Sequence, residues 1–400
     1  MEKTVGHIGS KVWVSTLYIC CLIFLPWRVE AQTPCLGAVG AFLQAPFNSA
    51  YQCVSLGSVP GVPANYGGLT LKYDDPNTLL IGGQANSSAG RIYQIGVMRA
   101  PVTNQITGFT GLATVYPSAG ATVGQNSDGG VIFGPGNVLF VARFPQNELE
   151  QSKPGSMAPD RVVDLTAVGV APSVGAIAFI PSGFPGANQM VIGSYSSGDW
   201  YRATLTVDGS GTYSVSGLTA PVNVGGGPEG IAFVPQGSSL FPMNSVLITR
   251  YGTGSIITMT LDGNGDPALG SDRNVITGLS GVEGAFIDPV TGDFLFSTYG
   301  GGNQVIRVSG FLAPTAASVS LSGRVSTPQG TGISGARVSL TDAKGQTTIA
   351  LTNGFGFYSF QGVMVGQTYV VAVSSKRYEF SPRTISVLDE LTDLDFVPEP

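Results

Sequence analysis

Short apolar runs separated by Gly, Pro and Asn dominate the chain. Within residues 227–261, Ile231-Ala232-Phe233-Val234, Val246-Leu247-Ile248 and Ile256-Ile257 follow one another with turn residues between them. Runs of this length and punctuation read as consecutive antiparallel strands. The pattern recurs. Val174 to Pro181 precedes Met190 to Tyr195, and Val282 to Pro289 precedes Phe294 to Tyr299. Asp128 to Phe133 precedes Val138 to Phe144, and Tyr66 to Leu71 precedes Leu79 to Gly83. Third strands begin at Arg91, Trp200, Ser255 and Gln304, and fourth strands at Ile106, Tyr213 and Asn274. A four-stranded unit returning about every 45–60 residues predicts a β-propeller. The last unit stops after three strands. Tyr51 to Gly57 is therefore expected to supply its outer strand and close the ring, which removes an open sheet edge. The long interval between Gly67 and Gly129 leaves room for a degenerate extra unit, so five or six blades are expected over residues 32–311.

After a small-residue linker, 312–318, the period changes. Val319 to Val325, Gly335 to Leu340, Asn353 to Phe360 and Gly366 to Val373 alternate with period two. That predicts a small β-sandwich over 319–397. The run Ser-Gly-Arg-Val at 322–325, Gly-Ala-Arg-Val-Ser-Leu at 335–340, Thr-Asn-Gly-Phe-Gly-Phe-Tyr-Ser-Phe at 352–360, Gly-Gln-Thr-Tyr at 366–369 and Arg377-Tyr378 resembles the carboxypeptidase regulatory-like domain. The resemblance implies a transthyretin-like sandwich, also classed as a carbohydrate-binding-like fold, and a non-catalytic module of exported proteins. The repeat half is similar in pattern to exported propellers of the NHL-repeat and gluconolactonase type.

Composition narrows the function. Gly is abundant, 57 of 400 residues, and charge is sparse at 11%, which suits many tight turns rather than disorder. Lys3 and Lys11 precede an apolar run, Val12 to Trp27, and small residues approach Ala31. Residues 1–31 have the form of a signal peptide, too short in their apolar part for a membrane span. A secreted, periplasmic or cell-surface product is expected, with no membrane span once the leader is removed. Loss of Lys3, Lys11, Arg28, Glu2 and Glu30 takes the 19 basic and 25 acidic residues to 16 and 23, a net charge of −7. An acidic chain of this kind is a poor nucleic-acid binder. Cys35 and Cys53 remain and are expected to pair in an oxidising compartment. The one histidine, His7, lies in the leader. The mature chain can therefore build neither a Ser-His-Asp or Cys-His hydrolytic site nor a His-ligated metal site.

Propeller geometry places the loops entering the innermost strands and the second-to-third strand corners on one face. Glu229 and Glu283 occupy equivalent places in neighbouring units, with Asp128 one residue earlier in its own. These three carboxylates are the candidate metal ligands, for Ca²⁺ by their hard oxygen donors. Arg143, Tyr195, Arg250, Tyr251 and Tyr299, with Phe144, fall at the corners around them and form a candidate ligand-binding rim for sugar rings or a protein surface. The competing explanation is that repeat positions recur because they pack each blade. Asp262 to Asp266 resembles the start of a calcium loop, yet its twelfth position is Arg273 and no helix flanks it; a recurring tight turn explains it and Asp208 to Gly211 alike. The expected function is an exported, monomeric, non-enzymatic binding protein for carbohydrate or a cell-surface partner. The alternatives are a Ca²⁺-dependent propeller hydrolase or lactonase and a structural cell-surface module.

Overall fold

A computed structural model describes residues 32–314, 318–342, 345–364, 367–387 and 391–398, with Met1 and Gly6. The rest of the expected leader, and 315–317 of the linker, lie outside the described residues. Gln32–Pro400 form one compact unit. Among the described residues no helix is long and apolar enough to cross a membrane.

Five antiparallel sheets form the blades of a propeller. Their innermost strands are Leu69–Lys72, Ser127–Phe133, Val174–Phe179, Pro228–Phe233 and Val282–Ile287, in blades 1 to 5. Each packs on the next, and the fifth returns to the first. A sixth blade is not formed: the long interval in the sequence is taken up by the extended outer hairpin of blade 1, Arg91–Arg99 with Ile106–Val115, and the loop after it. Val305–Ser309, third in blade 5, pairs on its outer side with Gln52–Gly57. Upstream, Phe42–Leu43 pairs with Arg273–Thr277 of blade 4, and Thr33–Pro34 pairs with Phe42–Leu43. The N-terminal segment thus straps blades 4 and 5 together, and the Cys35–Cys53 disulfide pins its two arms. Phe47 and Tyr51 of this strap stack against Phe241 and Phe311.

Alternation along each strand sends apolar side chains to both faces of every blade, as a sheet sandwiched between neighbours requires. Five apolar clusters result, one per blade interface. Leu80 and Ile92 of blade 1 meet Val131 and Val141 of blade 2, Phe140 meets Ile177 and Ile192 of blade 3, and Trp200 meets Phe233 and Ile248 of blade 4. Leu247 of blade 4 meets Phe294 and Phe296 of blade 5, and Leu295 meets Leu79 and Ile81 of blade 1. Ion pairs cross the same seams: Arg99–Asp288 at 2.6 Å, Arg202–Asp266 at 2.7 Å, and Arg161–Asp208. Asp208 and Asp262 also accept hydrogen bonds from the backbone of their own turns, so the calcium-loop-like segments are tight turns.

Backbone closes the axis. A Cβ on Gly129 of blade 2 would lie 2.0 Å from the Glu229 carbonyl oxygen of blade 4, and one on Gly284 of blade 5 would lie 2.2 Å from the Gly129 carbonyl oxygen. These contacts run across the ring rather than around it, and only glycine permits them.

Beyond the linker, Ser318–Arg324 pairs with Phe357–Met364, and a second sheet runs Thr347–Leu351, Arg337–Asp342, Gln367–Ser374, Arg383–Val387. Leu321, Val338, Tyr358, Phe360 and Val371 fill the core between the two sheets.

Candidate axial carboxylate site

Strand bulges position the acids. In blades 2 to 5 the register between the first and second strands slips near the start of the innermost strand: between Ser127 and Val131, Val174 and Ala176, Pro228 and Gly230, and Val282 and Ala285. A bulge inserts an extra residue and re-aims its side chain. Asp128, Glu229 and Glu283 sit within three of these bulges; the fourth holds Gly175. A Cβ on Gly175 would lie 2.7 Å from Glu229 Oε2, so glycine there leaves the space that the glutamate occupies.

The three carboxylates converge. One oxygen from each lies within 4.8 Å of the others. All three residues are buried, at 1–3% exposure, and Asp128 Oδ2, Glu229 Oε2 and Glu283 Oε2 have no hydrogen-bond partner. Burial pushes the Asp128 carboxyl from its ordinary 3.8 up to about 7, partly offset by the Asn86 amide. Glu229 is raised well above 4.5 by burial and then by the charges of Asp128 and Glu283. Glu283 is raised by burial and then by Asp128. Among the described residues no arginine or lysine pairs with these carboxylates, and an unpaired buried charge is costly, so protons or a bound cation would have to offset it.

Aromatic rings arch over the acids. Phe144–Tyr195, Tyr195–Tyr251 and Tyr251–Tyr299 meet edge to face, with centroids 6.1, 5.9 and 6.4 Å apart. These residues come from the second-to-third strand corners of blades 2, 3, 4 and 5, so the arc follows the ring of blades. After burial, the charges of Glu229, Asp128 and Glu283 raise the Tyr195 hydroxyl, and Glu283 heads the charges that raise Tyr251. Electrostatically, the rim and the acidic pit are one site.

The two arginines have partners beside the rim. Arg143 pairs with Glu148 at 2.7 Å and approaches Glu150 at 3.9 Å, and its Nε donates to the Gln125 carbonyl. Arg250 donates to the Val224 carbonyl and lies 3.8 Å from Asp272, while its Nε has no hydrogen-bond partner. Sequence reasoning missed Asn86. With its amide oriented to satisfy both neighbours, it donates at 3.1 Å to Asp128 Oδ1 and to the Ser127 carbonyl. Asn86 falls at the blade 1 corner equivalent to Tyr195, and its left-handed φ of 61° suits Asn. That shared corner was the available signal.

Three carboxylate oxygens within 4.8 Å of one another are hard oxygen donors of the kind that divalent cations take.

Comparison with known proteins bears on the two halves differently. Residues 320–397 match the carboxypeptidase regulatory-like domain. That domain is the sandwich described above. No curated protein sequence matches the chain. Among solved structures, the PQQ-bound aldose sugar dehydrogenase of Streptomyces coelicolor is similar at 16% identity and TM-score 0.33, over 64% of this chain and 83% of that one. The soluble aldose sugar dehydrogenase of Escherichia coli is similar at 15% and 0.34, over 63% and 86%. An auxiliary nutrient binding protein of Bacteroides thetaiotaomicron is similar at 14% and 0.36, over 61% and 58%. Values of this size say nothing about ligand or activity.

Proposed function

We propose that the chain is an exported binding protein that holds a divalent cation, Ca²⁺ by donor chemistry, on Asp128, Glu229 and Glu283. The aromatic rim above presents a carbohydrate-binding face. One observation carries the reading: three buried carboxylates without a countercharge lie under an arc of four aromatic rings. Aromatic faces stack on the apolar face of a sugar ring, and the tyrosine hydroxyls offer polar contacts beside them. The regulatory-like domain, of a carbohydrate-binding-like fold, supports a binding role, and the disulfide supports export.

Calorimetric titration of chelator-treated protein with Ca²⁺ tests the first half. One site per chain is expected in the wild type, and its loss in Glu229→Gln. Absence of heat in the wild type removes the cation. A glycan array probed with and without Ca²⁺ tests the second half, with Tyr251→Ala expected to lose the signal; a blank array eliminates the sugar.

A hydrolase is the second reading. It rests on Asp128, whose pKa of about 7 suits a general base at neutral pH. Turnover of lactone or ester substrates that is lost in Asp128→Asn would favour it, and no turnover with Ca²⁺ present would end it.

A further inference from the structure

The lower end of the propeller axis differs in chemistry from the upper. Below the glycine seal lies a cavity of about 410 Å³. Its walls are the far ends of the same innermost strands that begin at the acids: Phe133, Phe179, Phe233, Ala285, Phe286 and Ile287. Phe133, Phe179, Ala285 and Ile287 keep partial exposure even though they lie on the innermost strands of a closed ring. Their apolar surface faces open space in a molecule whose blade interfaces are otherwise filled. Interiors normally pack to crystal density, and an opening of about 410 Å³ lined mainly by apolar side chains has the size and character of a small-molecule pocket.

The lining dictates the ligand. None of the lining side chains holds a buried polar atom without a partner, so nothing in the wall calls for a charge or a hydrogen bond. The polar lining groups come from separate blades. Lys72 is neutralised by Asp74 at 3.0 Å, and Tyr73 packs its ring on Phe133. Gln236 spends its amide nitrogen on the Gly183 carbonyl and Asn244 Oδ1, which leaves its side-chain oxygen to accept. Pro314 of the linker and Thr368 of the regulatory-like domain wall the remaining side. A partner's chain segment would have to displace that domain, whereas a small molecule would not.

We infer that this cavity is a second ligand site, separate from the axial carboxylates, and that it takes a neutral amphiphile. The hydrocarbon body lies among the phenyl rings, and an uncharged polar head lies beside the Gln236 side-chain oxygen. The upper site binds cations and polyhydroxylated surfaces; the lower one selects against both.

The probe is N-phenyl-1-naphthylamine, a neutral fluorophore, added to the full chain and displaced by 1-decanol. The expected result is saturable enhancement at one probe per chain, unaffected by chelator, with at least tenfold weaker binding in Ala285→Phe and Ile287→Trp. Deuterium uptake of the wild type gives a readout free of substitutions: saturating 1-decanol should slow exchange in peptides spanning 131–135 and 282–289. The inference is overturned by the absence of saturable binding, by equal affinity in a filled variant that keeps the wild-type unfolding midpoint, or by exchange that 1-decanol leaves unchanged.

Discussion

The three axial carboxylates should give the cation-free protein an inverted response to pH. Most folded proteins hold their carboxylates below the usual pKa and gain stability as pH rises from acid. Here the folded state raises all three. A carboxyl raised by folding contributes stability that is fully present below its unfolded pKa and is lost as pH climbs through the folded one. For Asp128, the rise from 3.8 to about 7 corresponds to about 4 kcal/mol at ~1.4 kcal/mol per pH unit. Roughly half of that falls between pH 5 and pH 8, and Glu229 and Glu283, raised in the same direction, add to the loss. A divalent cation replaces the protons, so at a hundred times its Kd it should return about 2.7 kcal/mol at pH 8. Urea denaturation with chelator, then with Ca²⁺, from pH 5 to pH 8 measures this. Trp200 is the sole tryptophan of residues 32–400, and it is fully buried, so in a chain beginning at Gln32 its fluorescence reports unfolding without a label. Asp128→Asn should flatten the chelated profile between pH 5 and pH 8, and Glu229→Gln with Glu283→Gln should abolish the Ca²⁺ response. Chelated stability that is level or rising across this range, or an unaltered slope in Asp128→Asn, refutes the account.

Two further predictions concern the scaffold. Gly129→Ala forces a methyl group to 2.0 Å from a carbonyl oxygen across the axis and should cost more than about 4 kcal/mol. Gly263→Ala, with nothing within 4 Å, should cost under about 1 kcal/mol; similar urea midpoints for the two would contradict the sealed axis. Cys35→Ser opens an 18-residue link and should lower stability by about 3 kcal/mol, with the wild-type midpoint under reducing conditions moving to match; insensitivity to reductant would show that the strap holds without the bond.

Much of the propeller is legible in the sequence because its signals are local. Each innermost strand carries its own Gly-flanked apolar run, and a repeat registers those runs against one another without coordinates. The same registration aligns Glu229 with Glu283 and puts Tyr195, Tyr251 and Tyr299 at equivalent corners. Blade number was ambiguous because hairpin length varies: Arg91–Arg99 and Ile106–Val115 are long enough to mimic part of another unit. The partners of the arginines were hidden for a different reason. Glu148, Asp272 and the Val224 carbonyl, which Arg143 and Arg250 meet, are brought near only by folding. Across-axis contacts such as Gly129 to Glu229 join residues about a hundred positions apart, and no period reveals them. The lower cavity is equally hidden, since its phenylalanines read as ordinary core residues along the chain.

The N-terminal strap has a consequence for how the molecule is made. Gln52–Gly57 emerges early, yet its partner, Val305–Ser309, comes some 250 residues later. Until then the early strand is an unpaired edge next to four nascent sheets, and the ring stays an open arc. Pairing so distant in sequence is slow, and an open edge invites the wrong neighbour. Any factor that escorts this polypeptide while it folds would therefore do most by shielding the few residues of that early strand.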